Sequence, residues 1–265
     1  MNTQSLRDIN MLWIGDSLGP VEQLSIRSYL AAGHVVNLFT FGFVHGVPEH
    51  TTTLSANEYM TDAEYRALQH RKSGSFSLAA DLFRYRLLLN DAGFWSDSDF
   101  VCIRPVDLPG DNVFGWESET HIANGFLYLR PESPVLKSLL EYFQSRKIPP
   151  WLSSSKRRKL WLKKALGLPM DPANLPWGSF GPRALTWLAS QHGVAEQGQP
   201  VERFYAHKMA DAERIFEKDY RPQRLQSTDI MLVHLWNERI RSMKTRVPEP
   251  GSILAEYYER FGTPI

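Results

Sequence analysis

Apolar positions fall in short blocks and helical stripes that alternate along the chain. Met11, Leu12, Trp13 and Ile14 form the first block, which Gly15 ends, and they predict a short buried strand. The stretch from Asp16 to Pro20 reads as a turn, with Pro20 placed to start a helix. Leu24, Ile26, Tyr29 and Leu30 recur at near-helical spacing, predicting a helix over residues 21–32 with Gly33 as its C-terminal cap. Residues 34–41 are rich in β-branched and aromatic side chains and predict a second strand. Strand, helix and strand in this order make a βαβ unit with parallel pairing and a right-handed crossover.

Residues 42–60 read as loop. Thr61 and Glu64 have the spacing of a capping box and open a short polar helix. Residues 78–91 predict a helix closed by Gly93. Residues 94–96 and 100–103 read as extended segments on either side of Asp97-Ser98-Asp99. Strands are expected at 113–116, 122–129, 201–205 and 230–236, and helices at 131–146, 181–192 and 252–261. With no repeat, low-complexity tract or composition break, the pattern predicts one α/β domain over residues 1–265 with a mixed, mostly parallel sheet.

Composition narrows the function classes. Of the 265 residues, 43% are hydrophobic and 22% charged, which fits a folded globular chain. Thirty basic against twenty-nine acidic residues leave a formal charge of +1, so no global field draws in nucleic acid. No apolar run approaches the roughly 20 residues of a membrane span. The first eight residues lack the basic and apolar segments of a signal peptide. The single cysteine, Cys102, excludes an internal disulfide and fits a reducing compartment.

Asp97 and Asp99 carry the candidate chemistry. In extended backbone, residues at i and i+2 share a face. Two carboxylates converging there are oxygen ligands for Mg²⁺ or Mn²⁺, ions usually held by one or two carboxylates plus substrate phosphates. An Asp-x-Asp triplet also arises readily by chance, but these two acids lie between apolar segments, where unpaired charge is costly. On the preceding helix, Asp81, Arg84 and Tyr85 share one face. Spacing alone fits two readings of Asp81 and Arg84: a surface ion pair, or the border of a nucleotide pocket.

The string from Ser77 to Leu88, followed by Ala92-Gly93-Phe94-Trp95-Ser96-Asp97-Ser98-Asp99, resembles the glycosyltransferases with an Asp-x-Asp sugar-binding motif. These include bacterial capsule and lipopolysaccharide enzymes. Trp13-Ile14-Gly15, His121-Ile122-Ala123-Asn124-Gly125, Trp177 to Pro182 and His234-Leu235-Trp236-Asn237 extend the resemblance over most of the chain. Ala80, Ala92, Trp95 and Ser96 depart from the family pattern, and both acids remain.

The resemblance implies a GT-A fold, a divalent cation, a nucleotide-sugar donor, UDP-linked on family grounds, and hexosyl transfer with retention to a glycan hydroxyl in surface polysaccharide synthesis. It implies catalytic roles for Asp97, Asp99 and Asn124. Donor contacts fall to Trp13, Ile14, Asp81, Arg84 and Asp97, around one cleft at the carboxyl ends of parallel strands. Asp97, Asp99 and His234 are the implied metal ligands. Read as residues alone, Trp13 fits core packing, Asn124 a turn or strand edge, and His234 a hydrogen-bonded core histidine. No carboxylate is assigned as nucleophile, so front-face attack and a covalent intermediate both stay open. A non-catalytic nucleotide-sugar or carbohydrate-binding subunit is the alternative function.

The run from Lys156 to Lys164 places six basic residues in nine positions, with Trp161 between Leu160 and Leu162. It reads as a solvated helix face or as peripheral contact with an anionic membrane surface. The second reading suits a cytoplasmic enzyme at the inner membrane face acting on a lipid-linked acceptor.

Overall fold

The first strand forms where apolar side chains are concentrated ahead of Gly15. In the computed structural model, which describes residues 6–145, 147–168 and 170–264, β1 spans Ile9–Trp13, with Ile9 and Met11 fully buried. The first five residues of the segment read for a targeting signal, and Arg146 at the end of the expected 131–146 helix, lie outside the described residues. The chain forms two compact units, each gathered from separate stretches. One holds the residues up to Ser55, Gly93–Pro109 and those from Gln199 onward; the other holds Ala56–Ala92 and Gly110–Gly198.

In the first unit, α1 covers Pro20–Ala31 with proline at its first turn, and Gly33 follows at φ +88°. β2 covers Val36–Thr40, β3 Thr52–Ser55 and β4 Phe94–Ser96. β1 pairs in parallel with both β2 and β4, and β2 pairs in parallel with β3, giving the order β3-β2-β1-β4. The chain therefore leaves β1 toward one side for β2 and β3, and places β4 on the other side. That reversal is the kind of switch point at which open α/β sheets bind ligands, beyond the carboxyl ends of the strands. Gly93 enters β4 at φ +101°, with the Asp8 carbonyl oxygen 2.6 Å from where a Cβ would stand. Glycine alone fits both conditions.

β5, Phe100–Cys102, pairs antiparallel with β8, Leu232–His234, in the register Phe100 to His234. Of the remaining helices of this unit, α7 covers Val201–Phe204 and α8 Ile253–Arg260, the latter capped by Ser252 through the Ala255 N–H. In the second unit, α2 covers Asp62–Ala67 and has both capping-box bonds between Thr61 and Glu64. α3 covers Ser77–Leu89. β6, Asn112–Ser118, and β7, His121–Leu129, form an antiparallel hairpin. α4 covers Pro134–Ser145, α5 Ser154–Ala165 and α6 Pro182–Gln191. The result is the expected mixed α/β chain with a mostly parallel sheet and helices packed on strands.

Three local expectations are corrected. Residues 201–205 form a helical turn rather than a strand: Val201 and Phe204 stand one turn apart, and Pro200 sits at the N-cap. The 42–60 loop contains β3 and a 3₁₀ turn over Ala56–Glu58. Asp97-Ser98-Asp99 leaves the extended path and turns between β4 and β5, so the strand-face argument for the pair does not apply.

Candidate functional site

The carboxyl ends of β1 and β4 bring Trp13 and Asp97 to the same edge of the parallel sheet. Trp13 and Ile14 are half-buried there. Trp95, 1% exposed, donates its indole N–H to Asp97 Oδ1 at 2.9 Å. Ser96 donates its hydroxyl to the Asp97 carbonyl at 2.9 Å and lies 2.9 Å from the Tyr29 phenol. Two of the four residues that depart from the family pattern, Trp95 and Ser96, therefore bond to Asp97. Asp97 itself is only half-buried.

Asp99 is buried, and its Oδ2 has two partners. The Asn237 main chain donates to it at 2.7 Å, and His234 Nε2 lies 3.2 Å away. Burial acts to raise the Asp99 carboxyl, but His234, the Asn237 N–H and Lys244 outweigh it, so the group sits below its ordinary value and stays ionised. His234 is fixed by aromatic neighbours. Its ring stacks on Phe100 at 4.4 Å and 15°, meets Tyr205 edge-on at 5.5 Å and lies 4.1 Å from Trp236.

Beyond β8, Trp236 adopts φ +61°, a conformation uncommon outside glycine, and the next residue presents its N–H to Asp99. The Asn237 side chain also donates to Glu22 Oε1 at 3.2 Å. Lys244 bonds the same oxygen of Glu22, a carboxylate 1% exposed on α1.

In the second unit, Asp81, Arg84 and Asn124 come together. Asp81 and Arg84 are 3.6 Å apart, with side chains 7% and 4% exposed, so they form a buried pair rather than a surface one. Arg84 donates to the Asn124 carbonyl oxygen. Asn124 donates its side-chain amide to Asp81 Oδ1 at 2.8 Å. Tyr85, on the same face of α3, donates to the Phe180 carbonyl at 2.7 Å. A Cβ on Gly181 would stand 3.1 Å from Asn124 Nδ2 and 3.2 Å from both Asp81 oxygens. The Gly-Pro pair that opens α6 thus also keeps space beside the Asp81–Asn124 contact.

Asp97 and Asp99 offer oxygen donors and His234 an imidazole, a set whose chemistry suits a divalent cation. Among the described residues, no group of three or more His, Cys, Asp or Glu is gathered to hold a metal ion. Two carboxylates completed by donor phosphates do not need a third protein ligand.

Sequence reasoning singles out Trp13, Ile14, Asp81, Arg84, Asp97, Asp99, Asn124 and His234, reads Gly181 and Pro182 as a helix start, and misses three contributors: Glu22, Lys244 and the main chain of Asn237. Nothing near Glu22 in sequence announces a partner 222 residues away.

No protein-family description and no curated protein matches this chain. Among solved structures it is similar to one described as PaToxG Glycosyltransferase, with a TM-score of 0.45 and 14% identity, over 92% of this chain and 86% of that one. That degree of likeness assigns no role to any residue here.

Proposed function

We propose that the protein is a glycosyltransferase that takes a sugar from a nucleotide-sugar, with a divalent cation held by Asp97 and Asp99. The observation that supports this best is the position of the Asp97–Asp99 turn directly after β4, at the switch point of the β3-β2-β1-β4 sheet. Mn²⁺ or Mg²⁺ bound there would supply positive charge for a departing diphosphate. In this reading Trp13 and Ile14, at the end of β1, meet the base and ribose. Asp81, Arg84 and Asn124, within the second unit, are donor contacts on the sequence resemblance alone. His234 serves as a third ligand or holds Asp99 in place through its 3.2 Å contact.

The acceptor hydroxyl oxygen bonds to the anomeric carbon as the bond from that carbon to the diphosphate breaks. The diphosphate keeps the electron pair, and the hydroxyl proton passes to one of its oxygens. UDP as the nucleotide, retention at the anomeric carbon and a surface-polysaccharide acceptor come from the sequence resemblance, and a cytoplasmic site of action from the single cysteine and the basic run.

Calorimetry with UDP, GDP and CDP, each with and without Mn²⁺, tests the reading. Mn²⁺-dependent binding of one nucleotide, followed by hydrolysis of its sugar conjugates, is the expected result. Binding with no turnover on any donor would favour the non-catalytic subunit. If no nucleotide binds in either condition, the proposal fails.

A further inference from the structure

We propose that α5 and the groove beside it dock this protein on an anionic lipid bilayer. None of the residues of α5 is buried. Trp161 is 68% exposed and Leu162 59%, and Leu166 and Leu168 just beyond the helix are 76% and 52% exposed. An indole and three leucines this exposed present apolar surface that water does not favour.

The helix has two differently placed sides. Lys156, Leu160 and Lys163, at i, i+4 and i+7, border a small cleft with Leu175. One position further on, Arg157, Trp161 and Lys164 turn toward a groove of about 530 Å³, which Lys147, Arg158 and Leu162 also line. That groove joins Arg157, Arg158 and Lys164 to an apolar floor, with Lys147 at its edge paired to Glu141. Phosphate headgroups match the cations, and the interfacial region of a bilayer covers Trp161 and Leu162. Nucleic acid would engage the cations but leave Leu162, Leu166 and Leu168 in water.

Ser153 caps the helix through the Lys156 N–H, and Lys163 and Lys164 suit its last turn, but its positive charge is otherwise unrelieved. Its first turn holds no acidic residue to oppose the positive end of the helix dipole. Lys159 and Lys163 repel each other at i, i+4. Among the described residues, none of the six cations of α5 takes part in an ion pair. An anionic surface relieves that repulsion. Each Lys or Arg brought near such a surface multiplies binding by about fivefold, and the effect fades beyond a Debye length. Among the described residues no helix is long and apolar enough to cross a membrane, so the contact is one of lying on the surface.

This proposal does not rest on the transferase reading, because lipid binding is measured without donor or acceptor. The test is flotation of the full chain with vesicles of phosphatidylglycerol and phosphatidylcholine in equal parts, and with phosphatidylcholine alone, at low and high salt. The protein should float with the anionic vesicles at low salt and leave them at high salt. Arg157→Glu with Arg158→Glu should lower the partition by on the order of tenfold or more. Trp161→Ala should weaken binding while leaving the salt dependence unchanged. All three residues are exposed, so thermal melting should match the wild type. Failure of the wild type to float at low salt would overturn the proposal. So would equal binding to phosphatidylcholine alone, or tighter binding to a single-stranded RNA homopolymer than to the anionic vesicles.

Discussion

Asn237 donates its main-chain N–H to Asp99 Oδ2 at 2.7 Å across 138 residues of sequence. The backbone reaches that position through Trp236 in the left-handed region, a conformation that costs a non-glycine residue on the order of 1–3 kcal/mol. Trp236 is anchored there by its indole N–H, which donates to the His207 carbonyl at 2.8 Å. The strain is maintained where it aims an N–H at a buried carboxylate, that of Asp99.

Asp99→Asn separates charge from shape. The amide keeps an oxygen to accept from Asn237, so the variant should fold. It should lose Mn²⁺-dependent stabilisation by the donor nucleotide, and turnover should fall by about a hundredfold or more, the scale of removing one electrostatic contributor. Thermal shift with and without Mn²⁺, next to a steady-state assay, checks this. Retained Mn²⁺ dependence would move the cation away from Asp99.

Gly181→Ala adds one methyl group beside the Asp81–Asn124 contact. Its Cβ would press on Asn124 Nδ2 at 3.1 Å and on both Asp81 oxygens at 3.2 Å, and Nδ2 and Oδ1 already bond each other. The expected outcome is a rise in donor KM larger than the loss of thermal stability. Gly178→Ala, with nothing nearer than 4.0 Å, is a control for space alone, although its φ of +72° adds strain of its own.

Arg84→Met leaves the Asp81 carboxylate buried without its nearest cation. Breaking a buried pair from one side costs about 3–5 kcal/mol. Urea denaturation should show a loss of that size, and a comparable one for Asp81→Asn, which leaves the buried Arg84 guanidinium without its carboxylate. Losses below about 1 kcal/mol in both variants would mean that the pair behaves as an exposed one.

His34 gives the first unit a pH dependence. Its Nε2 accepts from the Val106 N–H at 3.0 Å, and its Nδ1 faces the Arg7 carbonyl at 3.0 Å, so the proton is on Nδ1. Burial is the main influence and lowers this imidazole from 6.5, with Arg7, Asp8 and Asp107 opposing it. The unfolded chain therefore takes up a proton that the folded chain refuses. Stability should be complete above pH 6.5 and decline as pH falls through the lowered folded value. Urea midpoints between about pH 8 and about pH 5 should reveal the decline, and His34→Gln should reduce it, the remainder coming from His207, whose imidazole burial lowers to about 4.

Local signals in the sequence located most elements. The β1, α1 and β2 segments follow from an apolar block, a proline and a β-branched run, and the capping box at Thr61 and Glu64 forms as its spacing requires. Asp81 and Arg84 were legible as neighbours on one helical face, but their burial was not, because burial depends on Asn124 and Gly181 arriving from distant positions. Asp97 and Asp99 were legible as a pair. Their shared strand face was not the reality, since the chain turns at Ser98 and each acid takes its own partner: Trp95 for Asp97, His234 and Asn237 for Asp99. Val201 and Phe204 illustrate the limit of short patterns, because two apolar residues three apart fit one helical turn as well as a strand.

The hold that Asn237 and Lys244 keep on Glu22 sets an order on synthesis. Glu22 leaves the ribosome early within α1, yet the amide and ammonium that make its burial tolerable emerge 215 and 222 residues later. The second unit, by contrast, is fully translated at Gly198. The nascent chain must therefore carry α1, β1 and β2 unfinished while a later-starting unit completes its own folding, and contacts of such long sequence separation form slowly. The early segment spends that interval with the Glu22 carboxylate lacking both partners and β5 lacking β8, which makes it the last part of the polypeptide to be completed.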